Sequence, residues 1–124
     1  MRPQPRFIVL LVDDEEMVLA SEATALHAEG ITNVLTEKDS TRVTEILEKK
    51  DIGLIVLDLM MPGLAGEELL PLIRLEHPEL PVLILTGKAE ISTAVECMKA
   101  GATDFLAKPV DNTRFPGLAG RCVL

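Results

Sequence analysis

Four apolar runs stand out along the chain: FIVLLV at 7–12, IGLIVL at 52–57, PVLILT at 81–86 and DFLAK at 104–108, with a weaker one, TNVLT, at 32–36. They are continuous rather than alternating, which predicts strands buried on both faces, as in a parallel sheet. Helical patterns fill the gaps. EEMVLASEATALHAEG closes on Gly30, a natural residue just past a helix end. DSTRVTEILEKK opens with a cap candidate, Asp39 or Ser40, and ends on Lys49 and Lys50, which suit a helix C-terminus. AGEELLPLIRLEHP carries Pro71 inside it, where a kink or a weakened turn is expected. AEISTAVECMKAG ends at Gly101. Strand and helix alternate, so the pattern predicts a doubly wound α/β sandwich with right-handed crossovers.

Composition narrows the classes. The length of 124 residues suits one domain. With 48% hydrophobic residues but only 2% aromatic, the core must be aliphatic. The net charge is −8 and no Lys/Arg cluster interrupts it, which argues against direct nucleic-acid binding and for a cation or basic partner. Cys97 and Cys122 lack zinc or redox spacing and read as reduced thiols of a cytoplasmic protein. The apolar run within MRPQPRFIVLLV is too short for a signal peptide, and acids follow it at once. No stretch reaches the length of a membrane span.

The first strand runs straight into Asp13, Asp14, Glu15 and Glu16. In open α/β sheets, ligands bind at the carboxyl ends of strands where the strand order reverses. Asp58 ends the strand in LIVLDLMMPG. If the first and third strands are neighbours, three carboxylates meet in one crevice. Such a cluster is costly unless a cation offsets it or a carboxylate holds a proton. Oxygen donors without thiolate or imidazole suit a hard ion, Mg²⁺ foremost with Mn²⁺ as an alternative. Thr86 and Lys108 end strands on the same rim. Together these groups suit a phosphoryl group, with an Asp as nucleophile forming an acyl phosphate.

Taken singly, each residue has a plainer explanation. Asp14 or Glu15 could cap the first helix. Asp58 could be a turn residue and Thr86 a structural hydroxyl. Lys108-Pro109 could be an ordinary strand terminus, and Phe105 simple core. His27 and His77 sit near helix ends, and Cys97 falls at helical spacing with Ala94 and Met98 as packing. The functional reading rests on their conjunction.

The chain resembles response-regulator receiver domains through LLVDDEE, LIVLDLMMPG, LILTGKA and GATDFLAKPVD, in order over residues 6 to about 114. The resemblance implies a five-stranded parallel sheet in the order 2-1-3-4-5. It implies that Asp58 accepts a phosphoryl group from a sensor histidine kinase. Asp14 holds Mg²⁺ directly, Asp13 through water, and Asp58 and the Met60 backbone carbonyl complete the set. By the same resemblance, Lys108 would contact the phosphoryl oxygens, Thr86 would swing in to hydrogen-bond them, Phe105 would be the switch aromatic, and a cis peptide bond would precede Pro109. The surface that the resemblance implies should switch is the fourth helix and fifth strand, around Ile91 to Phe105.

Two rivals differ in class. Haloacid-dehalogenase-like phosphatases also use a strand-end Asp, a Thr, a Lys and Mg²⁺, but place a general acid two residues after the nucleophile, where this chain has Met60. A pseudo-receiver that never takes phosphate would not need Asp13, Asp14, Asp58, Thr86 and Lys108 all intact. The chain departs from the family after KPVDNTRF: Pro116, Gly117 and Gly120 predict a fifth helix that is shortened or irregular. The expected layout is a receiver at 6–115 and an atypical tail at 116–124, with an output domain fused beyond it or a homodimer partner. The AEISTAVECMKAGATDFLAKPVDNTRF stretch is most similar to receivers of AAA-type enhancer-binding transcription activators.

Overall fold

The continuous apolar runs are strands covered from both sides. The structure, a computed structural model, describes residues 8–59, 61, 66–87, 91–108 and 114–123. Strands β1 (Ile8–Val12), β2 (Val34–Glu37), β3 (Ile52–Leu57), β4 (Val82–Thr86) and β5 (Asp104–Ala107) form one sheet in the order β2-β1-β3-β4-β5. Every pairing is parallel. The doubly wound architecture and strand order expected from the sequence are those observed.

Alternation along each strand sends side chains to two cores. Val9, Leu11, Leu54, Val56, Leu83, Leu85 and Leu106 pack with Leu19 and Leu26 of α1 (Glu16–Ala28) and with Phe115 and Ala119 of α5 (Arg114–Val123). Leu10, Val12, Ile55, Leu57, Val82 and Ile84 pack with α2 (Val43–Lys49), α3 (Gly66–Glu76) and Cys97 of α4 (Ile91–Lys99). Apart from Phe115, the large fully buried side chains are aliphatic. Each contributes about 1.5–3 kcal/mol by leaving water.

Local chemistry sets the ends of the helices. Gly30 and Gly101 have φ of 86° and 107°, and each follows a helix as a left-handed terminator. Asp39 caps a 3₁₀ turn, Ser40–Arg42, by accepting a 3.0 Å hydrogen bond from the Thr41 N–H. Pro71 does lie inside α3, on its exposed face, where water can take the place of the missing donor. Arg74 secures the connection from α3 to β4, donating to the carbonyls of His77, Pro78 and Leu80.

One expectation is corrected. Residues 116–123, set apart from the sequence as a tail, belong to α5. The helix is short, at 10 residues, as the sequence predicted. Pro116 is the third residue of that helix, and the first turn has no intrahelical acceptor for its N–H groups, so a proline there loses no bond. Its burial with Phe115 adds packing instead.

Candidate acidic site at the strand ends

The order of the strands answers why acids follow β1. Val12 pairs with Leu57, so the next residues along the two strands, Asp13 and Asp58, emerge side by side. Their backbones are held there: the Asp58 N–H donates to the Val12 carbonyl at 3.1 Å and the Asp13 N–H to the Glu37 carbonyl at 3.2 Å. Both side chains are buried, with Asp13 1% and Asp58 5% exposed. Asp14 is exposed, yet carboxylate oxygens of Asp13, Asp14 and Asp58 lie within 4.8 Å of one another.

Lys108, one residue past β5, reaches across to these acids. Its Nζ donates to Asp13 Oδ2 at 2.5 Å and to Asp58 Oδ2 at 3.2 Å. Burial works to lower the pKa of this ammonium. The hydrogen bond to Asp13 and the charges of Asp58 and Asp13 outweigh it, and the pKa lies above the ordinary lysine value. One ammonium against three carboxylates still leaves the site formally negative.

The capping explanation for the acids fails on geometry. Glu15 is the N-cap of α1 by backbone position, but its side chain makes no capping hydrogen bond. Asp13 Oδ1 does accept from the Glu15 N–H at 3.0 Å, leaving Oδ2 to Lys108. That bond orients Asp13 rather than consuming it.

The start of α3 closely approaches the backbone of Asp58 and Leu59. The Gly66 N–H donates to the Leu59 carbonyl at 3.3 Å. A Cβ at Gly66 would lie 2.6 Å from the Asp58 carbonyl oxygen and 2.8 Å from Leu59 Cα. Only glycine lets α3 start against the backbone that carries Asp58.

Thr86 is the last residue of β4, paired with Ala107, which places its backbone on the same rim; its side chain is outside the described set. Phe105 is half-buried against the opposite core, on the side of α4. The Met60 carbonyl and the bond before Pro109 lie outside the described residues. Sequence reasoning missed Glu22. This α1 residue is 4% exposed, and burial first, then the charge of Asp13, pushes its pKa up to about 8. Its helical spacing with Leu19 and Leu26 was the available signal.

Comparison with known proteins places this arrangement. The response regulator receiver domain family matches residues 9–117. The chain belongs to that family. The crystallised receiver domain of NtrX from Brucella abortus shares the receiver's fold with a TM-score of 0.85 at 34% identity, covering 93% of this chain and 97% of that one. A putative response regulator, NtrX-like, of Rickettsia conorii is 37% identical over 108 residues, 86% of this chain and 23% of that protein. The DNA-binding transcriptional regulator NtrC of Escherichia coli K12 is 35% identical over 118 residues, 95% of this chain and 25% of its own length. The receiver thus spans about a quarter of the curated relatives it matches. Receivers are signalling domains of two-component systems, and the similarity to receivers of AAA-type enhancer-binding activators read from the sequence agrees with the NtrX and NtrC relatives. Among the described residues, no helix is long and apolar enough to cross a membrane.

Proposed function

We propose that this receiver takes a phosphoryl group onto Asp58 from the phosphohistidine of a sensor histidine kinase. The observation that carries this is Asp58 itself: a buried carboxylate held by a lysine, beside a second buried acid. Structural acids are rarely placed so.

The donor set fits a hard divalent cation, Mg²⁺ or Mn²⁺, because every ligand is oxygen and the carboxylates converge on one point. When bound by Asp13, Asp14, Asp58 and the Met60 carbonyl, the cation would neutralise charge on the phosphoryl oxygens. The rest of the chemistry belongs to the chain. A carboxylate oxygen of Asp58 attacks phosphorus, the P–N bond breaks, and its electron pair stays on the imidazole, which takes up a proton. The Lys108 ammonium has three donors and already touches Asp58, so it can turn to the new phosphoryl oxygens and release Asp13. Thr86 supplies a hydroxyl to the same group, and Phe105 follows by turning inward, which carries the change to α4 and β5. The switched surface then acts on a fused output domain or a homodimer partner. The domain begins near residue 6, includes α5, works in the cytoplasm, and itself contacts neither nucleic acid nor membrane.

Incubation with acetyl phosphate and Mg²⁺ should add one phosphoryl group by intact mass, labile to hydroxylamine and absent in Asp58→Asn. Undiminished label in that variant would show that Asp58 is not the acceptor. No label in the wild type would favour the pseudo-receiver.

A further inference from the structure

Glu22 is a buried acid that the chemistry above does not use. It is 4% exposed, and its Oε2 has no hydrogen-bond partner. Helical spacing sets it between Leu19 and Leu26, both in the core that α1 shares with the sheet. The acidic site opens on that same side. Strand alternation leads from Val9 and Leu11 to Asp13, from Leu54 and Val56 to Asp58, and from Leu106 to Lys108. Helix α1 starts at this rim and runs away from it, and helical side chains lean back toward the helix N-terminus. A long side chain in the second turn therefore reaches toward the carboxylates. Leucine would fill the position at no electrostatic cost, whereas a buried acid with an oxygen lacking a hydrogen-bond partner is expensive there.

We propose that Glu22 is a buried carboxyl coupled by charge to this site, which holds a proton while the site lacks a cation and releases it to solvent when a divalent cation binds. This rests on the cation reading above. The charged groups that act on Glu22 from the sheet are Asp13, Asp58 and Lys108. Helix α5 presents Phe115 and Ala119 to this core and keeps Arg121 exposed. On α1 itself, Glu16 and His27 are exposed. Burial is the largest influence, Asp13 and Asp58 add to it, Lys108 opposes it, and the carboxyl is pushed up to about 8. A divalent cation cancels the contribution of the two aspartates and leaves that of burial. The O–H bond then breaks more readily, the carboxylate keeps the electron pair, and the proton passes to water. By reciprocity, the site grips the cation more tightly once Glu22 is ionised.

The test is carbon-13 NMR of the glutamate carboxyls in the full chain, titrated with pH with and without Mg²⁺. Glu22→Gln identifies the resonance, or Glu22→Leu if the first variant does not fold. We expect a midpoint near 8 without Mg²⁺, lowered by about one unit or more when Mg²⁺ is present. That shift corresponds to Mg²⁺ binding about tenfold tighter above the upper midpoint than below the lower one. The substituted protein should still bind Mg²⁺ but lose that dependence. A midpoint in the ordinary carboxyl range, or one that Mg²⁺ does not move although it binds, overturns the role of Glu22 alone. Failure of the wild type to bind Mg²⁺ at all overturns the cation site together with it.

Discussion

Lys108 holds the charge balance of the site, and its loss should show in stability. Lys108→Ala leaves Asp13 and Asp58 buried without their ammonium. Removing one partner of a fully buried pair costs ~3–5 kcal/mol. The Lys108 side chain is 17% exposed, so the loss should fall short of that figure. Urea unfolding should show it, and added Mg²⁺ should narrow the gap to wild type. An equal gap with and without Mg²⁺ would mean the carboxylates are not sharing one counter-charge. Glu22 makes a prediction of opposite sign. Its carboxyl is raised from 4.5 to about 8, so the folded protein keeps a proton that the unfolded chain has lost. Stability should therefore fall as pH rises from 4.5 to about 8. Glu22→Gln should flatten that limb and gain ~1–3 kcal/mol above it; an unchanged urea midpoint profile would contradict this. Asp13, Asp58 and Lys108 were legible in the sequence because each ends an apolar run. Glu22 was not, because only its helical phase with Leu19 and Leu26 marks it as buried.

Elements were legible where period and length agreed. Runs at 52–57 and 104–108 became β3 and β5 almost residue for residue. Helix α5 was harder, because Pro116 and Gly117 read as breakers until their place in the helix is known. Proline is harmless in a first turn, and the packing of Phe115 and Ala119 outweighs weak propensity. Two glycines separate these effects. Gly66→Ala must move the backbone next to Asp58, and a cost of ~1–3 kcal/mol is expected, as for overpacking. Gly117 is exposed with open space around it, so Gly117→Ala should be neutral or stabilising by up to ~1 kcal/mol. Thermal unfolding of the two variants checks the pair, and a Gly66→Ala protein as stable as wild type would deny the close approach.

At the scale of the molecule, the sheet order brings separate strand ends together at one site. Ile84 pairs with Phe105 and Thr86 with Ala107, so in the proposed switch a movement at the end of β4 would pass directly to β5. A switch of this kind needs a coupling of only ~1–3 kcal/mol. Thr86→Ala should still accept phosphate but respond mainly at the site. Beryllofluoride with Mg²⁺ should shift wild-type NMR signals at the site and in α4, and those of the variant chiefly at the site. Equal α4 responses in both would remove Thr86 from the route. All of this depends on the acceptor. Borohydride reduction of the phosphorylated protein converts an aspartyl phosphate to homoserine, and peptide mass mapping then locates it. Homoserine at position 58 alone is the result expected; homoserine at Asp13 or Asp14, or none anywhere in phosphorylated protein, would contradict the assignment of Asp58.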